Sequence, residues 1–265
     1  MTKSTKPSLD YVIQLACQAG EILRQEFGKP HTVEHKGIID IVTEADRKSE
    51  QYILQRIQAD FADHTIVSEE SGVITGKKMG KELDAWYVDP LDGTTNYAHG
   101  VPIFAVSIAY AHQGRLNLGV VFDPMQNECF SAELGKGVWL NGHPIRVSQV
   151  SDLNNSLLVT GFPYNIRTTG ETNLDHFAWF TLHSQAVRRL GSAALDLAYV
   201  AAGRLDGYWE TSINPWDIAA GRLLVVESGG IVTDLDGNPD YFKPPFKLVA
   251  ANPSIHAEML RGLNQ

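Results

Sequence analysis

The sequence predicts an α+β protein built in layers. Two patterns and one turn carry this prediction. After residue 100 the chain reads as consecutive β-hairpins, which implies an antiparallel sheet. After residue 148 strands and helices alternate, which implies a second, more parallel sheet covered by helices. Between the opening helices and the hairpins stands Trp86-Tyr87-Val88-Asp89-Pro90-Leu91-Asp92-Gly93-Thr94-Thr95-Asn96, a strand that ends in a carboxylate-bearing turn.

The elements follow in order. Leu9, Val12, Ile13, Ala16, Leu23 and Phe27 recur at helical spacing, with Ser8 placed to cap the start and Gly28 to end it. His31 and His35 stand four apart, a spacing that binds zinc on a helix, but Pro30, Thr32 and Val33 favour an extended segment and argue against a zinc site. Thr43-Glu44-Ala45-Asp46 has the form of a capping box. The helix it opens carries Ile53, Leu54, Ile57 and Phe61 on one face. Thr65 to Ser68 reads as a short strand with Glu69 and Glu70 at its end. The stretch from Gly72 to Lys81, rich in Gly and Lys, reads as a mobile excursion able to cover a site.

Ala85 to Val88 favours a strand, which Pro90 is expected to stop because it cannot donate to a ladder. Ala105 to Ala111 turns at Gln113-Gly114 into Leu116 to Phe122. That strand turns at Asp123-Pro124 into Glu128 to Glu133. Asn141-Gly142 signals a tight turn between Val138-Trp139-Leu140 and Ile145-Arg146-Val147.

In the second half Leu157 to Thr160 is a strand, and Leu174, Phe177, Ala178 and Leu182 form a helical stripe. Ala186 to Leu190 is a short basic strand, Leu195 to Ala202 a small-residue helix, and Gly207 to Glu210 a strand. Asn214-Pro215-Trp216-Asp217 starts a helix that ends at Gly229-Gly230. Ile231 to Thr233 and Lys247 to Ala250 complete the sheet, and Ser254 is placed to cap a last helix. With neither repeat nor low-complexity linker, halves at 1–147 and 148–265 are expected to pack as one body with a site between them.

Composition narrows the function. The 265 residues are 43% hydrophobic and 20% charged, enough for a large core. A net charge of -9 disfavours nucleic acid and membrane surfaces as partners and suits a site that concentrates cations. No run reaches membrane-spanning length, and Met1 to Ser8 lacks an apolar signal core. The two cysteines, Cys17 and Cys129, without metal-ligand spacing, read as buried thiols of a reducing compartment. A cytoplasmic location follows as the expectation.

Asp89 and Asp92, separated by a rigid turn, can hold hard cations a few ångströms apart, and Mg²⁺ takes oxygen ligands. The N–H groups of Gly93, Thr94 and Thr95 suit a phosphate oxygen at a helix start. Together they suggest metal-assisted phosphate ester hydrolysis. The bland alternatives are that Asp-Pro and Asp-Gly are turn punctuation, that Asp92 or Asp46 merely caps a helix, and that Asp217 merely complements a helix dipole.

Asp89-Pro90-Leu91-Asp92-Gly93-Thr94-Thr95-Asn96 resembles the central motif of the inositol monophosphatase family. Ile66 to Ser71 resembles that family's metal-binding glutamate segment, and Trp216 to Gly221 its C-terminal signature. The three stand in family order with family-like spacing. The resemblance implies a layered αβαβα sandwich of the inositol monophosphatase and fructose-1,6-bisphosphatase type. It implies Glu69, Asp89, Asp92, Asp217 and the carbonyl of Leu91 as ligands for two or three Mg²⁺ ions. Thr94 and Asp46 would then orient and deprotonate the attacking water, with Glu70 as an outer carboxylate. Gly93, Thr94, Thr95, Gly191, Ser192, Ala193, Glu210 and Asp217 would meet the substrate, with Lys36 near its phosphate. The implied substrate is a small phosphate monoester, most simply myo-inositol monophosphate; fructose 1,6-bisphosphate and a 3′-phosphoadenosine nucleotide are the alternatives. The family is commonly dimeric and inhibited by lithium. Some bacterial relatives bind transcription machinery, so an interaction protein with a regulatory role is the reading from another class.

Overall fold

A computed structural model describes residues 6–29, 33–35, 41–76, 84–239, 242–244 and 246–265. The first half runs α1 (Leu9–Glu26), β1 (Val33–His35), β2 (Ile41–Thr43), α2 (Glu44–Asp60), β3 (Thr65–Ser68), β4 (Gly72–Ile74), β5 (Ala85–Asp92) and α3 (Thr94–Ala98). The hairpin region follows as β6 (Ala105–His112), β7 (Arg115–Asp123), β8 (Glu128–Glu133), β9 (Gly137–Leu140) and β10 (His143–Pro144). The second half runs β11 (Leu157–Thr160), α4 (Leu174–His183), β12 (Ala186–Arg188), α5 (Ala193–Ala201), β13 (Gly207–Glu210), α6 (Pro215–Glu227), β14 (Ile231–Thr233), β15 (Leu248–Ala251) and α7 (Pro253–Leu263).

Two sheets carry the fold. The larger has the order β10-β9-β8-β7-β6-β5-β3-β4, antiparallel except where β3 runs parallel to β5. The smaller has the order β12-β11-β13-β15-β14. It is parallel only across β12, β11 and β13; β15 runs antiparallel to both its neighbours. The expectation of a second, more parallel sheet therefore holds, with two of its four pairings parallel against one in the larger sheet. No helix intervenes between β14 and β15, so the chain returns antiparallel.

The layers form because each element buries an apolar face. Val12, Leu15, Ala16 and Leu23 of α1, with Ile53 and Ile57 of α2, pack against Trp86, Val88, Ile108 and Val120 on one face of the large sheet. The opposite face presents Ala105, Ala109, Val121 and Ala132 to α5 and α6, which also cover Val159, Tyr208 and Ala250 of the small sheet. Phe180 of α4, with Ile255 and Met259 of α7, closes the far side over Leu158, Trp209 and Val249. The result is an αβαβα sandwich.

The middle layer is thin because small residues line it. A Cβ at Gly221 would lie 2.5 Å from Leu197 Cβ, so α5 and α6 approach as closely as they do only with glycine there. Gly221→Val should overpack this contact and cost about 1–3 kcal/mol, read as a lowered denaturation midpoint with unchanged m value.

Several local expectations hold. Asn141 (φ 50°) and Gly142 (φ 79°) make the paired positive-φ turn that a tight hairpin needs. Ser8 caps α1 by accepting from Tyr11 N–H. Others fail for physical reasons. Pro90 does not end β5, which continues to Asp92 through an irregular step in register. Gly72 to Ile74 is no free excursion but a strand paired with β3, and residues 77–83 lie outside the described residues. The strand after the Asn141-Gly142 turn is His143–Pro144, because the two-residue turn pairs His143 directly with Leu140. On α4, Leu174 and Leu182 are 52% and 81% exposed, while Phe180 is the residue buried. Asn252 rather than Ser254 caps α7, accepting from the N–H groups of Ser254 and Ile255 with Pro253 at the first helical position. Cys17 and Cys129 are half-buried rather than buried.

Candidate active site

The site begins where the parallel pairing of β3 with β5 ends. β3 and β5 pair in register from Thr65 with Ala85 to Ser68 with Val88. Glu69 N–H then donates to the Val88 carbonyl at 3.2 Å, which sets Glu69 beside Asp89. Along β5, Asp89 faces Ser107 and Asp92 faces Ala105 of β6, so three steps on one strand meet two on the other. This is a bulge. In a regular strand, residues three apart point to opposite faces; the extra residue brings Asp89 and Asp92 onto one cavity wall. Pro90 suits the bulge because it needs no ladder donor, and its carbonyl accepts from Ser49 Oγ at 2.9 Å.

The second half contributes two helix starts. Ser192 caps α5; its Oγ donates to Asp92 Oδ2 at 2.7 Å, and Ala194 N–H donates to the same oxygen at 2.6 Å. Asp217 stands in the first turn of α6, where its Oδ2 accepts from Asn214 N–H at 3.0 Å. Asp217 thus caps the helix as well as meeting its dipole, and it also lines the same cavity.

The cavity has a volume of about 340 Å³. Glu69, Asp89, Leu91, Asp92, Gly93, Thr94, Gly191, Ser192, Ala193, Glu210 and Asp217 all line it. Asp46 stands one layer behind. Its Oδ2 accepts from Thr43 N–H at 2.9 Å, closing the capping box, and its Oδ1 accepts from Thr94 Oγ1 at 3.0 Å. Thr94 Oγ1 also lies 3.0 Å from the Leu91 carbonyl. Glu70 and Thr95 do not line the cavity, and Thr95 is exposed. Lys36 and His31 lie outside the described residues.

Acids so placed disturb one another. Asp89 is pushed well above the usual carboxylate range by burial, then by the charges of Glu69, Asp92 and Asp217. Asp217 is raised by burial, Asp92 and Glu69. Burial raises Asp92 to about 6 against the pull of the Ser192 hydroxyl and the Ala194 N–H. Burial likewise raises Glu210 to about 7, although the Tyr208 hydroxyl donates to it. These mutual effects place Glu69, Asp89, Asp92 and Asp217 in one electrostatic group drawn from both halves.

The group is open rather than tight. Among the described residues no three His, Cys, Asp or Glu side chains converge closely enough to hold an ion by themselves. The donor set nevertheless fits Mg²⁺. It is all oxygen, and Mg²⁺ is usually bound through one or two carboxylates with water and substrate phosphate completing its shell.

Several neighbours escaped the sequence reading. Glu50 is buried and accepts from the hydroxyls of Ser68 and Ser71, pinning the Glu69 turn. It lies four residues after Asp46 on one helix face, a spacing that was open to notice. Asn96 Nδ2 donates to the carbonyls of Ile103 and Leu190 at 2.8 Å each, tying α3 to the loop before α5. Asp196 also lines the cavity, as does Arg189 of the basic stretch already marked in the sequence. Asp196 was hidden in an apolar helix, where its only signal is a lone acid among small residues.

A five-layer sandwich with carboxylates from both halves on one cavity is the arrangement of a family of phosphatases. The chain belongs to the inositol monophosphatase family, whose model matches residues 5–265. It is 42% identical over 259 residues to the Nus factor SuhB of Escherichia coli, covering 97% of this chain and 96% of that protein. It is 43% identical over 258 residues to the inositol-1-monophosphatase of Synechocystis, covering 96% and 88%. The solved inositol monophosphatase of Anabaena superposes with a TM-score of 0.86 at 43% identity, covering 97% and 95%.

Proposed function

We propose that the protein hydrolyses a small phosphate monoester with Mg²⁺, and that the substrate is a polyol phosphate such as myo-inositol monophosphate. One observation carries this reading: Glu69, Asp89, Asp92 and Asp217 share a cavity with Thr94, which is backed by buried Asp46. Bound Mg²⁺, two or three ions by family analogy, would neutralise the phosphate charge, stabilise the leaving oxygen and lower the pKa of a water.

The chain's own residues do the rest. Glu69, Asp89, Asp92, Asp217 and the Leu91 carbonyl hold the cations. Gly93 and Thr94 border the place for the phosphate, where first-turn N–H groups of α3 lack helical acceptors. Thr94 Oγ1 gives its proton to Asp46, which leaves its lone pairs to accept from a water and aim it. Asp46 is raised by burial, and the Thr43 and Thr94 donors oppose that rise, so it can take a share of the water's proton through Thr94. Glu210, on the substrate side, accepts from a hydroxyl of the leaving group.

The test is phosphate release from myo-inositol monophosphate, fructose 1,6-bisphosphate and a 3′-phosphoadenosine nucleotide, with Mg²⁺ and with lithium added. Fastest release from the inositol ester, suppressed by millimolar lithium, supports the reading. Release from none of the three defeats it. Relatives named Nus factor favour a second role as an interaction protein. Pull-down with Asp89→Asn separates the two, because partner binding should survive a loss of turnover. A homodimer is expected on the family pattern, and light scattering measures it.

Metal and pH are linked in a way independent of turnover. Asp89, Asp92, Asp217 and Glu210 have raised proton affinities in the fold, whereas their unfolded values lie near 4. The folded state then holds more protons than the unfolded state, so stability falls as pH climbs from about 4 through about 7. Added Mg²⁺ should offset this by binding the ionised acids. The stabilisation by Mg²⁺, read as a rise in Tm, should be larger at about pH 8 than at about pH 5, and it amounts to about 2.7 kcal/mol at a hundredfold excess over Kd. Equal shifts at both pH values would contradict the linkage.

A further inference from the structure

The mechanism leaves one buried acid of the cavity unused. Asp196 stands in the first turn of α5 and is only 2% exposed. It lines the same cavity as Glu210, yet its Oδ1 is buried with no hydrogen-bond partner among the described residues. Buried carboxylate oxygens are nearly always satisfied, so an orphan on a residue that lines a ligand cavity calls for a donor from the ligand. Among the described residues the neighbouring donors are already engaged. Ser192 Oγ and the Ala194 N–H are given to Asp92, and the Tyr208 hydroxyl is given to Glu210. Arg189, the cation that acts on Asp196, is exposed and makes no hydrogen bond to it.

We propose that Asp196 and Glu210 together form a clamp for two hydroxyl groups, so that Asp196 is a specificity-determining residue for substrates whose phosphorylated carbon skeleton carries a vicinal diol. The inference rests on the phosphatase reading above and deepens it. Two carboxylates bordering so small a cavity accept from two neighbouring hydroxyls at once. An alkyl or aryl leaving group offers neither donor and leaves Asp196 Oδ1 unsatisfied. Asp196 and Glu210 both border one cavity of about 340 Å³. Asp196 touches no reacting atom in this scheme; it holds the leaving group.

The test compares Asp196→Ala and Asp196→Asn with the wild-type protein on inositol 1-phosphate and on phenyl phosphate. A second readout is binding of phosphate-free myo-inositol by saturation-transfer NMR without metal. Asp196→Ala is expected to lower the ratio of kcat/KM for the polyol over the aryl ester roughly 10- to 100-fold, mostly through KM, and to weaken the inositol signal. Asp196→Asn, which keeps an acceptor oxygen of the same shape, should recover most of that ratio and controls for folding. An unchanged ratio with equal inositol binding overturns the clamp and leaves the phosphatase reading standing. If Arg189→Ala changes the ratio as Asp196→Ala does, Asp196 serves Arg189 and the clamp is likewise overturned. Wild-type protein that releases phosphate from neither ester defeats the phosphatase reading, and the inositol signal then decides the clamp alone.

Discussion

Asp92→Asn should lower kcat roughly 10³-fold or more, a loss of about 4 kcal/mol in transition-state stabilisation. Asp92 is held from both halves: by β5 through the chain, and by Ser192 Oγ and Ala194 N–H through α5. Asparagine removes the negative charge that makes a cation ligand. Both donors reach the single oxygen Oδ2, so the amide oxygen of asparagine can still accept from both, and the hold of α5 on the side chain survives while the charge is lost. The charge also weighs on Asp217, Asp196 and Glu210, and its removal should lower their proton affinities. Stability should therefore change little, or rise, while turnover collapses. The checks are steady-state phosphate release and a denaturation curve on the same preparation. A near-normal rate would remove Asp92 from the machinery.

Thr94→Ala is the second large effect, with kcat expected to fall about 10²- to 10⁴-fold, the range of a positioned proton-transfer group. KM and the Tm shift caused by Mg²⁺ should move little, because Thr94 supplies no cation charge. The substitution also strips Asp46 Oδ1 of its only side-chain donor at a buried position, a cost of about 1–3 kcal/mol in stability. Thr94→Ser keeps the hydroxyl and should restore both. Asp46→Asn should resemble Thr94→Ala, and the double variant should be no worse than either single one, since the two act as a unit. Additive losses would mean that they do separate work.

What the sequence made readable was local. The Thr43–Asp46 and Asn214–Asp217 caps show in four residues each, and the structure forms both hydrogen bonds. The Asn141–Gly142 turn is as local and as readable. The layer order followed from the succession of hairpins and then alternating elements. Long-range partners were not readable. No spacing announces that Asp92 will be held by Ala194, which is 102 residues away. The bulge at Pro90 looked like a strand end because proline breaks a ladder in either case; only the pairing with β6 tells the two apart. The stripe of α4 misled because amphipathic spacing marks which residues share a face, while burial depends on what stands opposite. Trp209 and α7 lie under Phe180, and Leu182 faces outward. Asp196 was obscured for the converse reason, a charged residue in a helix otherwise fit for the core.

The most direct measurement is anomalous scattering from crystals soaked in Mn²⁺ as a substitute for Mg²⁺. The account predicts at least two peaks in the cavity, with ligands that include Asp89 or Glu69 from the first half and Asp217 from the second. Peaks confined to the surface, or a cavity that stays empty while the carboxylates are ionised, would contradict it.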